Sequence, residues 1–116
     1  MSTELKERTK NFVIKVVRLI SLIKPGKIED IIKSQILRSA TSVGANYRAA
    51  LRGRSRAEFI SKLNIAEEEA DETCYWLEII IELDLISEDK VLSVYEEARA
   101  ITAILTAAGK TAKLNT

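Results

Sequence analysis

The length and composition of the chain limit its fold to one class. With 116 residues it is long enough for one domain with its own core, but not for two. Apolar residues make up 47%, which excludes bulk disorder, and the net charge is only +1. One proline and four glycines are too few for the turns of a many-stranded sheet, so we expect an all-α domain.

Nothing in the sequence indicates export or a membrane span. The amino-terminal residues carry no apolar run behind a basic head, and no apolar stretch reaches about eighteen residues. Cys74 is the single cysteine and cannot form an internal disulfide. We therefore expect a cytoplasmic protein that does not interact with a membrane.

Apolar residues that recur at steps of three and four predict four amphipathic helices. Their predicted bounds are about 3–24, 28–52, 56–84 and 88–108. Pro25 and Gly26 separate the first two helices, and Gly53 ends the second. Because all three connections are short, consecutive helices must be antiparallel. We therefore expect residues 1–109 to form an up-down-up-down four-helix bundle.

Capping residues indicate where the last two helices begin and end. Ser55 and Glu58 form a capping box, in which each side chain bonds to a free backbone N–H at the start of the third helix. Ser87, followed by two acids, is the expected cap of the fourth helix. Gly109 is predicted to end that helix, and residues 110–116 are predicted to form a flexible tail.

Small and polar side chains interrupt the apolar stripe of the second helix. Gln35, Ser39, Ser42 and Asn46 follow one another at steps of four, three and four residues, so they share the face that points to the core. They form either a buried polar pocket or a close helix contact in which the amides fix the register. No general base, nucleophile or metal ligand accompanies them, which favours the packing interpretation.

A contiguous set of motifs at residues 35–78 is shared with a known family. The set comprises Gln35, Arg38-Ser39, Ser42, Gly44-Ala45-Asn46-Tyr47, Arg54-Ser55, Glu58-Phe59, Ser61-Lys62-Leu63, Ile65-Ala66, Glu69-Ala70-Asp71-Glu72-Thr73 and Tyr75-Trp76-Leu77. It resembles the four-helix-bundle proteins encoded by intervening sequences in 23S ribosomal RNA genes, which include the accessory variability proteins of diversity-generating retroelements. The resemblance implies assembly into a ring-like homopentamer. For the retroelement members it further implies binding of nucleic acid and of a reverse transcriptase.

Charge is segregated along the chain. Residues 1–66 contain fourteen Lys and Arg against five acids, whereas residues 67–116 contain four against twelve. A basic cluster is expected at the second turn, formed by Arg48, Arg52, Arg54, Arg56 and Lys62. The cluster is either a phosphate-binding surface or a solvated helix end whose arginines complement the helix dipole and pair with acids. No aromatic residue is interleaved with the arginines, so contact with nucleic acid would be to backbone charge or shape.

The acidic run at residues 66–72 raises an enzymatic hypothesis. Glu67, Glu68 and Asp71 are similar to the first half of the metal site of all-α magnesium-dependent nucleotide pyrophosphatases. The second half is missing, because no further acid follows the pair at residues 96–97 at the required spacing. The chain also has no histidine, which excludes Ser-His-Asp triads and di-iron sites of the Glu-x-x-His type. We therefore expect no catalytic residue, metal or cofactor.

The segment at residues 74–86 is too apolar for a helix with a single buried face. Tyr75, Trp76 and Ile79 are expected to lie in a subunit interface, because each residue step turns a helix by about 100° and part of this segment must face outward. We therefore interpret the chain as a non-enzymatic homo-oligomeric binding or scaffold module. RNA or, as the resemblance implies, a reverse-transcriptase-type nucleoprotein is its expected partner. The alternatives are a purely protein–protein assembly module and, less favoured, a magnesium-dependent nucleotide pyrophosphohydrolase.

Overall fold

Short connections between long helices decide the architecture. A computed structural model describes residues 2–115 of the chain. Its helices are α1 (Ser2–Ile20), α2 (Lys27–Leu51), α3 (Arg56–Glu82) and α4 (Glu88–Leu114). The described residues contain no strand, which confirms the predicted all-α class. Helices α1 and α3 each pack against both α2 and α4, as in a four-helix bundle. In residues 2–115, none of the helices is both long and apolar enough to span a bilayer.

Helix α1 ends at Ile20, four residues before the predicted end. A tight turn follows, in which the N–H of Ile23 donates to the Ile20 carbonyl at 3.1 Å, three residues back rather than four. This turn carries the Ile23 side chain into the core, where it is 3% exposed. Pro25 then prevents a return to helical backbone, and Gly26 is the N-cap of α2.

The caps of α3 and α4 differ. Ser55 is the N-cap of α3, and its hydroxyl accepts a hydrogen bond from the Glu58 N–H at 3.1 Å. Ser87 is the N-cap of α4 by position, but its side chain makes no capping hydrogen bond, contrary to the prediction. The two serines also differ in backbone conformation, since Ser55 has φ −145° and ψ 163° and Ser87 has φ −59° and ψ 138°.

Helix α4 is longer than the sequence predicts, because Gly109 packs inside the bundle and does not end the helix. Gly109 is buried, and a Cβ at its position would lie 3.6 Å from Asn64 Oδ1. Ala112 is also buried, and Arg56 Nη1 donates to its carbonyl at 3.3 Å. The predicted tail is therefore helical as far as Leu114, and residue 116 lies outside the described part of the chain.

The core is mostly apolar, and its buried polar side chains are Thr9 on α1 and the pair Ser39 and Thr73 where α2 meets α3. The largest fully buried side chains include Phe12, Ile36, Leu63, Leu77, Ile80, Ile101 and Leu105. Thr73 Oγ1 donates to Ser39 Oγ at 2.9 Å, and Ser39 Oγ donates to the carbonyl of Ile36 at 3.1 Å. Both hydroxyls are thus hydrogen-bonded, as buried polar groups usually are. At the surface, Arg8 donates two hydrogen bonds of 2.8 Å to Glu97 and joins α1 to α4.

The substitution Ser55→Ala tests the cap of α3. We expect it to lower the free energy of unfolding by about 1 kcal/mol, because the Glu58 N–H loses its partner. Ser87→Ala is the matched control, and we expect it to change stability by less than about 0.5 kcal/mol. Urea denaturation followed by circular dichroism measures both variants. Equal losses would show that the two serines cap their helices in the same way.

Candidate functional site

A close contact between α1 and α2 lies beside a groove on the surface of the bundle. Gly44 on α2 lies against Thr9 on α1, and a Cβ at residue 44 would be 3.3 Å from the Thr9 hydroxyl oxygen. This close packing offsets the cost of about 1 kcal/mol that glycine carries in a helix interior. The α1–α2 groove has a volume of ≈ 530 Å³ and is lined by Lys6, Thr9, Lys10, Val13, Ile14, Thr41, Gly44, Ala45, Arg48 and Arg52.

The groove brings together cations from two helices. Lys6 and Lys10 on α1 share it with Arg48 and Arg52 on α2, and no acid lines it. Within residues 2–115, none of these four side chains makes an ion pair. The sequence predicts the two arginines as site residues but not the lysines, because the antiparallel contact joins segments far apart in the chain. Lys6 and Lys10 are four residues apart, so they lie on one side of α1, and this spacing is the feature of the sequence that could have indicated a basic surface there.

The other three predicted cations lie around the turn between α2 and α3. Arg54 is exposed and has no ion pair in the described part of the chain. Arg56 is exposed too, but its guanidinium donates to the carbonyl of Ala112 at the end of α4. Lys62 is half-buried on α3. We use the term basic end for Lys6, Lys10, Arg48, Arg52 and Arg54, which make no ion pair within residues 2–115.

Only part of the predicted polar stripe on α2 reaches the core. Ser39 is buried, whereas Gln35, Ser42 and Asn46 are half-buried. Ser42 Oγ donates to the Arg38 carbonyl at 2.8 Å, and Asn46 Nδ2 donates to the Ser42 carbonyl at 2.9 Å. These bonds stay within α2, so the two side chains need no partner in the core. The four residues therefore do not form one buried stripe, and they enclose no polar pocket.

Arg38 joins α2 to the acidic run of α3. Its Nη1 lies 3.1 Å from Glu69 Oε2, and its Nη2 contacts the carboxylate of Glu72. Glu72 also accepts a hydrogen bond from Trp76 Nε1 at 3.1 Å. This bond and the Arg38 guanidinium hold the pKa of the Glu72 carboxyl below its usual value, against the opposing effect of burial. The cluster thereby fixes the indole of Trp76 at the surface of the bundle.

The predicted interface residues lie together on the outer side of α3. Tyr75 is 54% exposed, and Trp76 and Ile79 are half-buried. The two aromatic rings meet edge to face, with centroids 5.2 Å apart. Such pairs add a small stabilisation to the burial of the rings, so both rings are held in place.

The apolar surface continues from α3 onto α2, which the helical spacing of the sequence does not predict. The contacts of Ser39 with Thr73 and of Arg38 with Glu72 set the register of the two antiparallel helices, and this register brings Ile31 level with residues 79–81 of α3. Ile31 is 54% exposed, although its helical spacing is that of a core residue. We refer to Ile28, Ile31, Tyr75, Trp76, Ile79 and Leu83 as the α2–α3 patch.

The acids of the less favoured enzymatic hypothesis do not converge. Glu67 accepts a hydrogen bond from the Thr106 hydroxyl, whereas Glu68 and Asp71 are exposed. In residues 2–115, no three residues of the kinds that ligate metals lie close enough to hold an ion together. Cys74 is buried, and burial raises the pKa of its thiol, which disfavours the nucleophilic thiolate.

A family model covers most of the chain. The model of the 23S rRNA-intervening sequence protein matches residues 2–107. The chain belongs to this family. The resemblance carried by the motifs at residues 35–78 is thereby confirmed.

A solved structure shows that the 23S rRNA-intervening sequence fold extends over nearly all of the chain. A protein of unknown function from the S23 ribosomal protein family of Bacteroides thetaiotaomicron is 38% identical, with a TM-score of 0.86. The match covers 94% of this chain and 97% of that one. Curated proteins yielded no match. The comparisons therefore show the family and the fold, and they name no activity.

Trp76 is the only tryptophan of this family member, so its fluorescence reports on Glu72. Because the folded state lowers the pKa of Glu72, the cluster stabilises the protein above the unfolded pKa and loses this contribution as the pH falls through the folded pKa. We therefore expect a change in Trp76 emission with a midpoint below pH 4.5, the usual pKa of the group.

The substitution Glu72→Gln should abolish this transition, while Glu82→Gln, a matched change on an exposed acid of α3, should leave it intact. Circular dichroism at the same pH values separates the local transition from acid unfolding. A midpoint above pH 4.5, or an unchanged transition in Glu72→Gln, would contradict the assignment.

Proposed function

We propose that this protein is a cytoplasmic, non-enzymatic homo-oligomeric binding module that holds RNA, alone or in a nucleoprotein, through its basic end. The gathering of unpaired cations from α1, α2 and the following turn supports this function. Arg52 and Arg54 lie where α2 ends, so they are open to a partner that approaches along the long axis of the bundle. Nucleic acid requires such cations but no fixed spacing between them.

The chemistry of the basic end favours recognition of backbone charge over recognition of bases. Its side chains are lysines and arginines with no aromatic ring between them on which a base could stack. Arginine can also donate two hydrogen bonds to one phosphate. Structured RNA, which proteins recognise mostly by shape and by contacts to phosphate and ribose, fits these properties.

A homo-oligomer carries one copy of the basic end on each subunit. Several copies of the basic end in one assembly would raise the local positive potential and the avidity for a long polyanion. The exposed α2–α3 patch supports self-association, because apolar surface of this kind on a protein marks an interaction site. The family resemblance adds a ring of five subunits to this proposal. A purely protein–protein assembly module is the second candidate, and the same patch favours it.

Salt-dependent RNA binding tests the proposed function. Titration of a fluorescent RNA hairpin at several salt concentrations should show weaker binding for the double variant Arg52→Ala, Arg54→Ala. The slope of log K against log salt should decrease in magnitude by about 2, which is about 1 for each phosphate that the variant no longer binds. The matched control is Lys24→Ala, Lys90→Ala, which removes the same charge from exposed positions at the opposite end of the bundle.

The control variant should keep the wild-type affinity and salt dependence. Equal weakening in both double variants would show that only the net charge matters, and the basic end would lose its role. Wild-type protein that binds no RNA at low salt would favour the protein–protein module instead.

A further inference from the structure

The α1–α2 groove has an apolar floor that extends beyond its cations. Gly44 against Thr9 sets the register of α1 and α2, and Lys33 Nζ, which donates to the Ile23 carbonyl at 3.3 Å, confirms it near the other end. In this register Val17 on α1 lies opposite Leu37 on α2. These two and the groove residue Ile14 are partly exposed, at 43%, 39% and 44% respectively.

The α2–α3 patch has the opposite electrostatic character. Asp71 lies about one helical turn from Tyr75 on the outer side of α3, and Glu68 and Glu82 lie about two turns away on either side. None of the three acids makes an ion pair in the described part of the chain. Lys33 is the cation nearest to Ile31 along the chain, but its ammonium group donates to the Ile23 carbonyl and pairs with Asp30. Lys27 lies about one helical turn before Ile31. The patch is therefore an apolar surface with mostly negative surroundings, and the groove is an apolar surface with positive ones.

We propose that the α2–α3 patch of one copy of this chain docks into the α1–α2 groove of a second copy. Each surface supplies what the other lacks, since unpaired carboxylates would meet unpaired lysines and arginines around two apolar centres. Opposite charges at the rim of an interface steer association and fix its register, while the apolar centre supplies most of the affinity. This inference rests on the homo-oligomeric part of the proposed function and names its interface.

The two surfaces lie on different sides of the bundle, so the contact is heterologous. A copy that uses its patch on one neighbour keeps its groove for another, and repetition of the contact gives a closed ring or a filament. The contact would engage Lys10 and Arg48 along the groove, so these two members of the basic end would serve the subunit contact and not RNA. Arg54 in the turn beyond α2 does not line the groove and would stay available to RNA.

Two double variants test the groove and the patch one at a time. Ile14→Glu, Val17→Glu places carboxylates in the groove, where they repel the acids around the patch. Ile28→Lys, Ile31→Lys places ammonium groups in the patch, where they repel the cations of the groove. All four positions are more than 40% exposed, so the fold should tolerate the changes, and circular dichroism verifies it. Leu92→Glu, at an exposed position on α4, is the control.

Light scattering on a gel-filtration column measures the mass of each variant. We expect each double variant to raise the dissociation constant by more than about tenfold and to elute as a monomer at a concentration where the wild type and Leu92→Glu are oligomers. An equimolar mixture of the two double variants should associate again and contain both chains in equal amounts, because one intact patch then meets one intact groove. The single variants Val17→Glu and Ile31→Lys serve the same comparison if a double variant fails to fold.

Three results would overturn the docking. A double variant with the wild-type mass would show that its surface is not used. A mixture that stays monomeric would show that the two surfaces do not bind each other. A monomeric wild type would overturn the docking and the oligomeric part of the proposed function together, whereas an oligomeric wild type with unaffected variants would overturn the docking alone.

Discussion

The contact between Gly44 and Thr9 is the constraint on which the surface of this bundle depends. A Cβ at residue 44 would lie 3.3 Å from the Thr9 hydroxyl oxygen, so a larger residue there would push Thr9 aside by a few tenths of an ångström, and glycine allows α1 and α2 to meet without this shift. Their closeness places Lys6 and Lys10 in one groove with Arg48 and Arg52. A packing feature in the middle of two helices thus creates a charged surface, although neither of the two residues in contact is charged.

The fold converts a charge gradient along the chain into surfaces of opposite sign. Most cations lie in residues 1–66 and most acids in residues 67–116, and the bundle places α3 diagonally opposite α1. Some of this charge is neutralised between helices, as in the contacts of Arg38 with Glu69 and Glu72. The cations of the groove and the acids beside Tyr75 are not, and unpaired charge next to exposed apolar side chains is typical of a surface that meets a partner.

Local chemistry was predictable from the sequence, and contacts between distant segments were not. The cap at Ser55 depends on residues three positions apart, so the capping motif predicts it. The missing capping bond at Ser87 and the buried, helical Gly109 depart from their local motifs, because a motif contains neither the orientation of a side chain nor the burial of a residue in the bundle. Ile31 has the spacing of a core residue but lies at the edge where α2 meets α3, and only the register of the two helices reveals its exposure.

Hydroxyl-radical footprinting of the wild-type protein tests the central claim most directly, because it requires no substitution. If the groove and the patch meet in the assembly, Ile14, Val17 and Ile31 should be modified slowly at high protein concentration and faster on dilution. Leu92, exposed on α4 away from both surfaces, should react equally at all concentrations. Concentration-independent modification of Ile14, Val17 and Ile31 in an oligomer would contradict the account.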